Sequence, residues 1–271
     1  MTMKITTDKN SKYNKFLPFI FMEPFKFSPS GLTYINCRRC FYLSYNHGIN
    51  YAGGFPGVFS TLDISHKNRF QDLSTKEMFS KLPNGRFYKT VNSEEAKIRK
   101  KNKETQFKKM ELPSFIRSNI IKDKKSRNFF LAGKPDLVVK FDDNTYGILD
   151  FKTTSEDDKT QAYKYQLEAY AQIFENPGET GVAKTPKLFP VSYMGLIQFT
   201  PKEIFEHNDM NYKQNFNINH YQLKRDVEDF YDHVTNLIDI VVEEKVPSFN
   251  NRCSVCIDTQ KNLKVMQLDF I

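Results

Sequence analysis

No stretch of the sequence approaches the roughly 18 apolar residues that a membrane helix needs. Its most apolar N-terminal segment, Phe16 to Phe27, is broken by Pro18 and Pro24 and carries Glu23, which makes a poor signal peptide. Both absences point to a cytoplasmic protein. No GxxxxGK[ST] or GxGxxG motif occurs, which excludes an NTP-driven motor and a dinucleotide site of the usual kind. Any helicase activity would therefore come from a partner. There is no internal repeat and no linker rich in Pro, Gly and Ser, so nothing cuts the chain in two. Cysteine is scarce: four residues, paired as Cys37/Cys40 and Cys253/Cys256. In a reducing compartment two CxxC pairs suggest a bound metal more than a disulfide framework.

What is present suits a folded enzyme or binding domain. The 271 residues are 39% hydrophobic and include 25 Phe and 14 Tyr, enough to fill a sizeable core. The expected organisation is an N-terminal tail (1–27), one domain (28–257) with the Cys pairs at its two ends, and a C-terminal tail (258–271). The net charge of +8 favours a polyanionic partner. It is concentrated between Glu94 and Arg127, where twelve Lys/Arg stand against five Asp/Glu. Phe107, Leu112, Phe115, Ile116, Ile120 and Ile121 anchor this run to a folded body, although a solvated face would show the same charges.

Periodicity orders the elements. A short helix is expected from Ser28 through Leu43, and a second over Leu62 to Phe79 that places Asp63 and His66 on one face. From Asn128 the period changes to two, giving strands at Phe129–Gly133, Asp136–Phe141 and Thr145–Lys152, the last two joined by Asp142-Asp143-Asn144. Helix follows over Thr160–Asn176, with Tyr163, Leu167, Tyr170, Ala171 and Phe174 on one face, then a strand at Val191–Phe199 and a short extended piece around Phe216–Ile218. Leu223, Val227, Phe230, Val234, Leu237, Ile238 and Val241 mark a last amphipathic helix before Pro247. His47, His207, His220 and His233 show no partner pattern.

The chemistry lies in the second hairpin. On a strand, residues i and i+2 share a face, so Asp150 and Lys152 point together while Leu149 and Phe151 enter the opposite, apolar layer. The hairpin returns Asp136 to Asp150. Two converging carboxylates repel unless a cation intervenes, and hard oxygen ligands suit Mg²⁺ or Mn²⁺. A metal beside an ammonium can supply hydroxide and offset charge on a scissile phosphate, which is the logic of phosphodiester hydrolysis.

The order Gly133-Lys134-Pro135-Asp136, a turn, Asp150-Phe151-Lys152-Thr153, then a helix bearing Tyr163, Gln166 and Tyr170, resembles the PD-(D/E)XK nuclease superfamily in its RecB-type branch. The resemblance is specific over residues 128 to 176. It implies a restriction-endonuclease-like α/β fold, a mixed central sheet flanked by helices. It also implies a Mg²⁺- or Mn²⁺-dependent deoxyribonuclease in which Asp136, Asp150 and a backbone carbonyl at Phe151 hold the metal and Lys152 positions water. Gln166 and Tyr170 match the signature placed beside DNA in that family. Ser30 through Cys37-Arg38-Arg39-Cys40-Phe41-Tyr42-Leu43, with Cys253 and Cys256 after the last helix, is similar to the Cys-containing CRISPR adaptation nucleases.

Two departures qualify the likeness. Those relatives ligate a [4Fe-4S] cluster with one Cys from the front and three from the back, whereas this chain offers two and two, the usual description of a structural Zn²⁺ site. Either group would clamp the N- and C-terminal segments together. Many relatives also place a His ligand, preceded by Gly, in the helix before the strands; here the candidates are Asp63 and His66, and neither has that Gly. The basic run then becomes a DNA-guiding flank, with Lys100, Lys101, Lys108 and Lys109 as its phosphate contacts. The alternatives are a catalytically silent module of the same fold that binds DNA or a protein, and a zinc-knuckle RNA-binding protein.

Overall fold

A computed structural model of the chain describes residues 23–32, 37–49, 57–104, 107–154, 160–207 and 212–260. In chain order these form β1 (Phe25–Phe27), α1 (Arg38–His47), α2 (Gly57–Phe70), β2 (Gly85–Phe87), β3 (Lys89–Val91), α3 (Ser93–Lys101), β4 (Glu111–Pro113), β5 (Ile116–Arg117), β6 (Ile121–Lys122), β7 (Asn128–Gly133), β8 (Leu137–Phe141), β9 (Tyr146–Thr153), α4 (Lys164–Glu175), β10 (Val191–His207), β11 (Tyr212–Leu223) and α5 (Val227–Val241). Two compact units emerge. The larger comprises Glu23–Tyr34 and Gly54–Thr235; the smaller comprises Met1–Met22, Ile35–Gly53 and Asn236–Ile271.

The larger unit is a mixed α/β structure built on a sheet of order β11-β10-β9-β8-β2. Asn144 in the left-handed region (φ 65°) and the Asp143 carboxylate, which accepts from Thr145 N–H at 2.9 Å, turn β8 tightly into β9. β9 and β10 run parallel, so the chain must cross over between them, and α4 makes that crossing. Phe87, Leu137, Val139, Leu149, Phe151, Tyr193, Ile197 and Phe199 form the core on one face of this sheet. Each such aromatic withdraws apolar surface worth about 1.5–3 kcal/mol. A second sheet has β7 flanked by β1 and β5, with β6 also pairing β7. A third, small one pairs β3 with β4.

Several expectations need correcting. Phe25–Phe27 is no tail: it pairs in parallel with Phe129–Leu131, and both Phe25 and Phe27 are buried. Residues 1–22 and 261–271 of the expected tails lie outside the described residues. The helix carrying Cys40 begins at Arg38, not Ser28, because Cys37 is its N-cap with an extended backbone (φ −151°, ψ 115°); Pro29–Leu32 is a separate 3₁₀ turn. The second helix stops at Phe70. Asp72 takes φ 61°, and Ser74 with Glu77 forms a capping box that starts a new 3₁₀ turn.

The cations of the basic run are spread over α3, β5, β6 and the turns between and after them. Further on, β10 extends to His207 and pairs with the twelve-residue β11, where only a short extended piece was expected. β11 ends at Leu223, so α5 begins at Val227, capped by the Asp226 carboxylate on Asp229 N–H (3.0 Å). α4 is buried on all sides from Gln166 to Phe174 and not on one face alone. Its polar residues are satisfied internally. Gln172 donates to Glu168, and Arg225 spans Glu168 and Glu175 (2.6 and 2.7 Å).

Among the described residues of the smaller unit, α1 is tied to the C-terminal segment. Asn46 Nδ2 donates to the Val241 carbonyl at 2.9 Å, Arg38 pairs with Glu243, and Arg39 donates to the Pro247 carbonyl at 2.9 Å. Among the described residues no helix is long and apolar enough to cross a membrane.

Candidate active site

β8 and β9 pair as Leu137↔Leu149, and the next step along that register sets Asp136 opposite Asp150. Both carboxylates are buried, Asp150 at 2% exposure. They line a cleft of about 910 Å³ together with Asp63, His66, Lys67, Lys134, Lys152, Tyr163, Gln166 and Tyr170. Thus α2, the β8–β9 hairpin and α4 each bring one wall. The Pro29–Leu32 turn closes a fourth side at Gly133, where a Cβ would lie 2.7 Å from Pro29 Cδ. Only glycine permits that approach.

Every oxygen of the two carboxylates can be accounted for. Asp136 Oδ2 accepts Phe151 N–H at 2.8 Å, and Oδ1 faces the Lys67 ammonium at 2.7 Å. Asp150 Oδ1 accepts from Gln166 Nε2 at 2.8 Å. Its Oδ2 touches the Lys152 ammonium as an ion pair but takes no hydrogen bond of proper geometry, although it is buried. Burial, and after it the neighbouring Asp136, pushes the Asp150 carboxyl up to about 7 against the pull of Lys152. Burial acts to lower Lys152 and Lys67, but the carboxylates beside each outweigh it and hold both ammoniums above the ordinary lysine value. The Lys152 ammonium also lies 4.7 Å from the centre of the Tyr163 ring.

The candidate helix ligands differ in setting. Asp63 is partly exposed and bridged by Lys67 (2.5 Å) to Asp136. His66 stacks on Phe199 at 3.8 Å and meets Phe151 edge-on, with Nδ1 buried and unbonded; burial holds it below the usual histidine value, against Asp63. Tyr170 gives its hydroxyl to the Lys134 carbonyl at 2.7 Å, and burial, followed by Asp150 and Asp136, pushes that phenol upward. Lys100, Lys101, Lys108 and Lys109 are exposed and are not part of the cleft wall; Lys100 reaches the Gly181 carbonyl at 3.3 Å.

Lys67 escaped the sequence reading. Its spacing of four from Asp63 was legible, but its second partner, Asp136, is 69 positions away. Tyr163 was legible as a helix residue beside Gln166 and Tyr170, but its place against the Lys152 ammonium was not.

The donors fit a hard divalent cation. Asp136 Oδ1 and Asp150 Oδ2 are the two oxygens satisfied by ammonium charge and not by backbone or amide donors, so a metal can take them by displacing Lys67 and Lys152 while the Phe151 N–H and the Gln166 amide keep their partners.

In the smaller unit the four cysteine sulfurs lie within 4.8 Å of one another, a set able to hold a metal ion. Cys37–Cys256, Cys40–Cys256 and Cys40–Cys253 are 3.5, 3.6 and 3.7 Å apart.

The solved crystal structure of SSO0001 aligns with a TM-score of 0.44 at 13% identity, covering 81% of this chain and 78% of that one. No curated protein matches significantly. The family model of the PD-(D/E)XK nuclease superfamily matches residues 26–257, which takes in both Cys pairs and the whole cleft. With Asp136, Asp150 and Lys152 at one end of the β8–β9 hairpin and a match over most of its length, the chain belongs to the PD-(D/E)XK nuclease superfamily.

Proposed function

We propose that the chain is a Mg²⁺- or Mn²⁺-dependent deoxyribonuclease that hydrolyses phosphodiester bonds. The observation that carries this reading is the buried Asp150 Oδ2, which pairs with the Lys152 ammonium beside Asp136 in the cleft and accepts no hydrogen bond of proper geometry. Asp136 and Asp150 hold the metal, with Asp63 or His66 and the Phe151 carbonyl completing its ligands. When bound, the ion acidifies water and offsets charge on the scissile phosphate. Lys152 orients the attacking water and stabilises the pentacovalent state. Gln166 fixes the Asp150 carboxylate by its 2.8 Å bond, so the metal meets a preset oxygen. Tyr170 and Gln166 border the path of the DNA, and the basic run supplies sequence-independent affinity.

The finer placement in the RecB-type branch, similar to the Cys-containing CRISPR adaptation nucleases, is supported by Gln166 and Tyr170 after Lys152 and by Cys pairs at both ends of the matched region. A helicase or other DNA-processing partner would supply strand opening. Incubating single- and double-stranded DNA and RNA with Mn²⁺ tests the assignment. Asp150→Ala and Lys152→Ala are expected to lower cleavage by at least about a hundredfold, the scale of lost electrostatic catalysis, while DNA binding persists. Cleavage that survives in both variants, or in EDTA, rules the reading out.

A further inference from the structure

The geometry points to one tetrahedral zinc ion at Cys37, Cys40, Cys253 and Cys256, in place of the iron–sulfur cluster that the family resemblance suggests. This inference stands apart from the nuclease assignment, since none of the four lines the cleft. A Zn–S bond of about 2.3 Å sets the edge of a ZnS₄ tetrahedron at about 3.8 Å. The three close sulfur pairs here are 3.5, 3.6 and 3.7 Å apart, and all four sulfurs fall within 4.8 Å. A single ion therefore reaches every sulfur with little movement.

A four-iron cube cannot use this arrangement. Each of its thiolates binds a different iron, and the irons and sulfides of the cube stand between them. Four sulfurs near mutual contact leave no room for that body. In a two-iron rhomb only the two thiolates on one iron come so close, whereas here Cys40 is equally close to both members of the C-terminal pair.

The backbone explains why the sulfurs converge. Cys37 is the N-cap of α1, and its carbonyl accepts Phe41 N–H at 3.0 Å. Cys253 stands in the same position before the helical segment 254–260, with its carbonyl accepting Ile257 N–H at 3.0 Å. Cys40 and Cys256 are thus both the third residue of a helical turn. Two like CxxC turns face each other and contribute two sulfurs each. The turns are further fixed without metal by Arg39 on the Pro247 carbonyl and by Arg38 with Glu243. Soft thiolates in a tetrahedron select zinc over the hard ions suited to Asp136 and Asp150.

The test is elemental analysis of the full chain, expressed with both iron and zinc in the medium and purified without oxygen. One zinc per chain, no visible absorption, and tetrahedral cobalt–thiolate bands after Co²⁺ replacement are expected. Asp150→Ala should keep the zinc, and Cys253→Ser should reduce its occupancy at least tenfold. Iron with acid-labile sulfide and a visible band that bleaches on reduction overturns the proposal, as does metal-free protein with its cysteines in disulfides. The wild-type metal count decides the matter even where Cys253→Ser does not fold.

Discussion

A carboxylate as buried as Asp150 is costly to ionise, and its neighbours show how the cost is met. Lys152 neutralises it, Gln166 takes one oxygen, and Asp136 is tied to the backbone at Phe151 and to Lys67. Lys67 is the residue that most changes the chemistry of the site. Its ammonium sits between Asp63 and Asp136, where it holds two carboxylates together and competes with any cation for Asp136 Oδ1. Replacing it with Ala removes the competitor. A half-screened charge interaction at this range is worth about 1–4 kcal/mol, so Lys67→Ala should bind Mn²⁺ at least about fivefold more tightly. Calorimetric titration of the wild type and the variant measures this directly. Unchanged or weaker binding would mean that Lys67 preserves ligand geometry more than it competes for charge. The triad of Asp136, Asp150 and Lys152 was legible because a hairpin and a two-residue period place side chains without further knowledge. Lys67 was not, because only the packing of α2 on the sheet brings it to Asp136.

At the scale of elements, the contrast lies between α4 and the β10–β11 ribbon. The helix could be located from its apolar spacing and its Pro177-Gly178 stop. Its burial on all sides could not, because Gln166, Glu168 and Gln172 look solvent-facing until Gln166 is found to donate to Asp150, Gln172 to Glu168, and Arg225 to Glu168. β11 was hidden for a different reason. Its sequence, from Tyr212 to Leu223, is mostly polar, and pairing through backbone bonds along β10 holds it in the sheet without a hydrophobic signal. Arg225 follows that strand and is the cation of the buried network, with Glu168 at 2.6 Å, Glu175 at 2.7 Å and the Val191 carbonyl at 2.9 Å. Burial opposes its charge, but the two glutamates outweigh this and raise its basicity further. Removing one member of such a network strands the others. Arg225→Ala should therefore cost about 3–5 kcal/mol of stability in urea unfolding. A loss below about 1 kcal/mol would show that water enters and solvates Glu168 and Glu175. Because Glu168 lies on the same helix as Gln166, a milder substitution such as Arg225→Lys should impair cleavage before it unfolds the protein.

For the molecule as a whole, the +8 charge is less of a DNA-binding surface than its arithmetic suggests. Several cations of the segment Glu94 to Arg127 have structural work. Arg99 pairs with Glu95 and Glu111, Lys124 with Glu228 and Asp232, Arg127 with Asp123, and Arg117 lies 4.0 Å over the Phe130 ring. Composition counts these equally with Lys100, Lys101, Lys108 and Lys109, which are exposed. Counterion release separates the two groups. A lysine that meets a DNA phosphate contributes about 0.9 to the slope of log affinity against log salt, whereas a cation locked in an ion pair contributes little. Neutralising the four exposed lysines as Gln should weaken DNA binding and flatten that slope by up to about 3–4, with metal affinity and unfolding unchanged. Arg99→Gln should do the reverse, lowering stability while leaving the slope in place, because its charge is already spent on Glu95 and Glu111. Filter binding from low to moderate salt on both variants tells a guiding flank from a solvated face: an unchanged slope in the four-lysine variant assigns the run to solvent, and DNA affinity must then arise at the cleft itself.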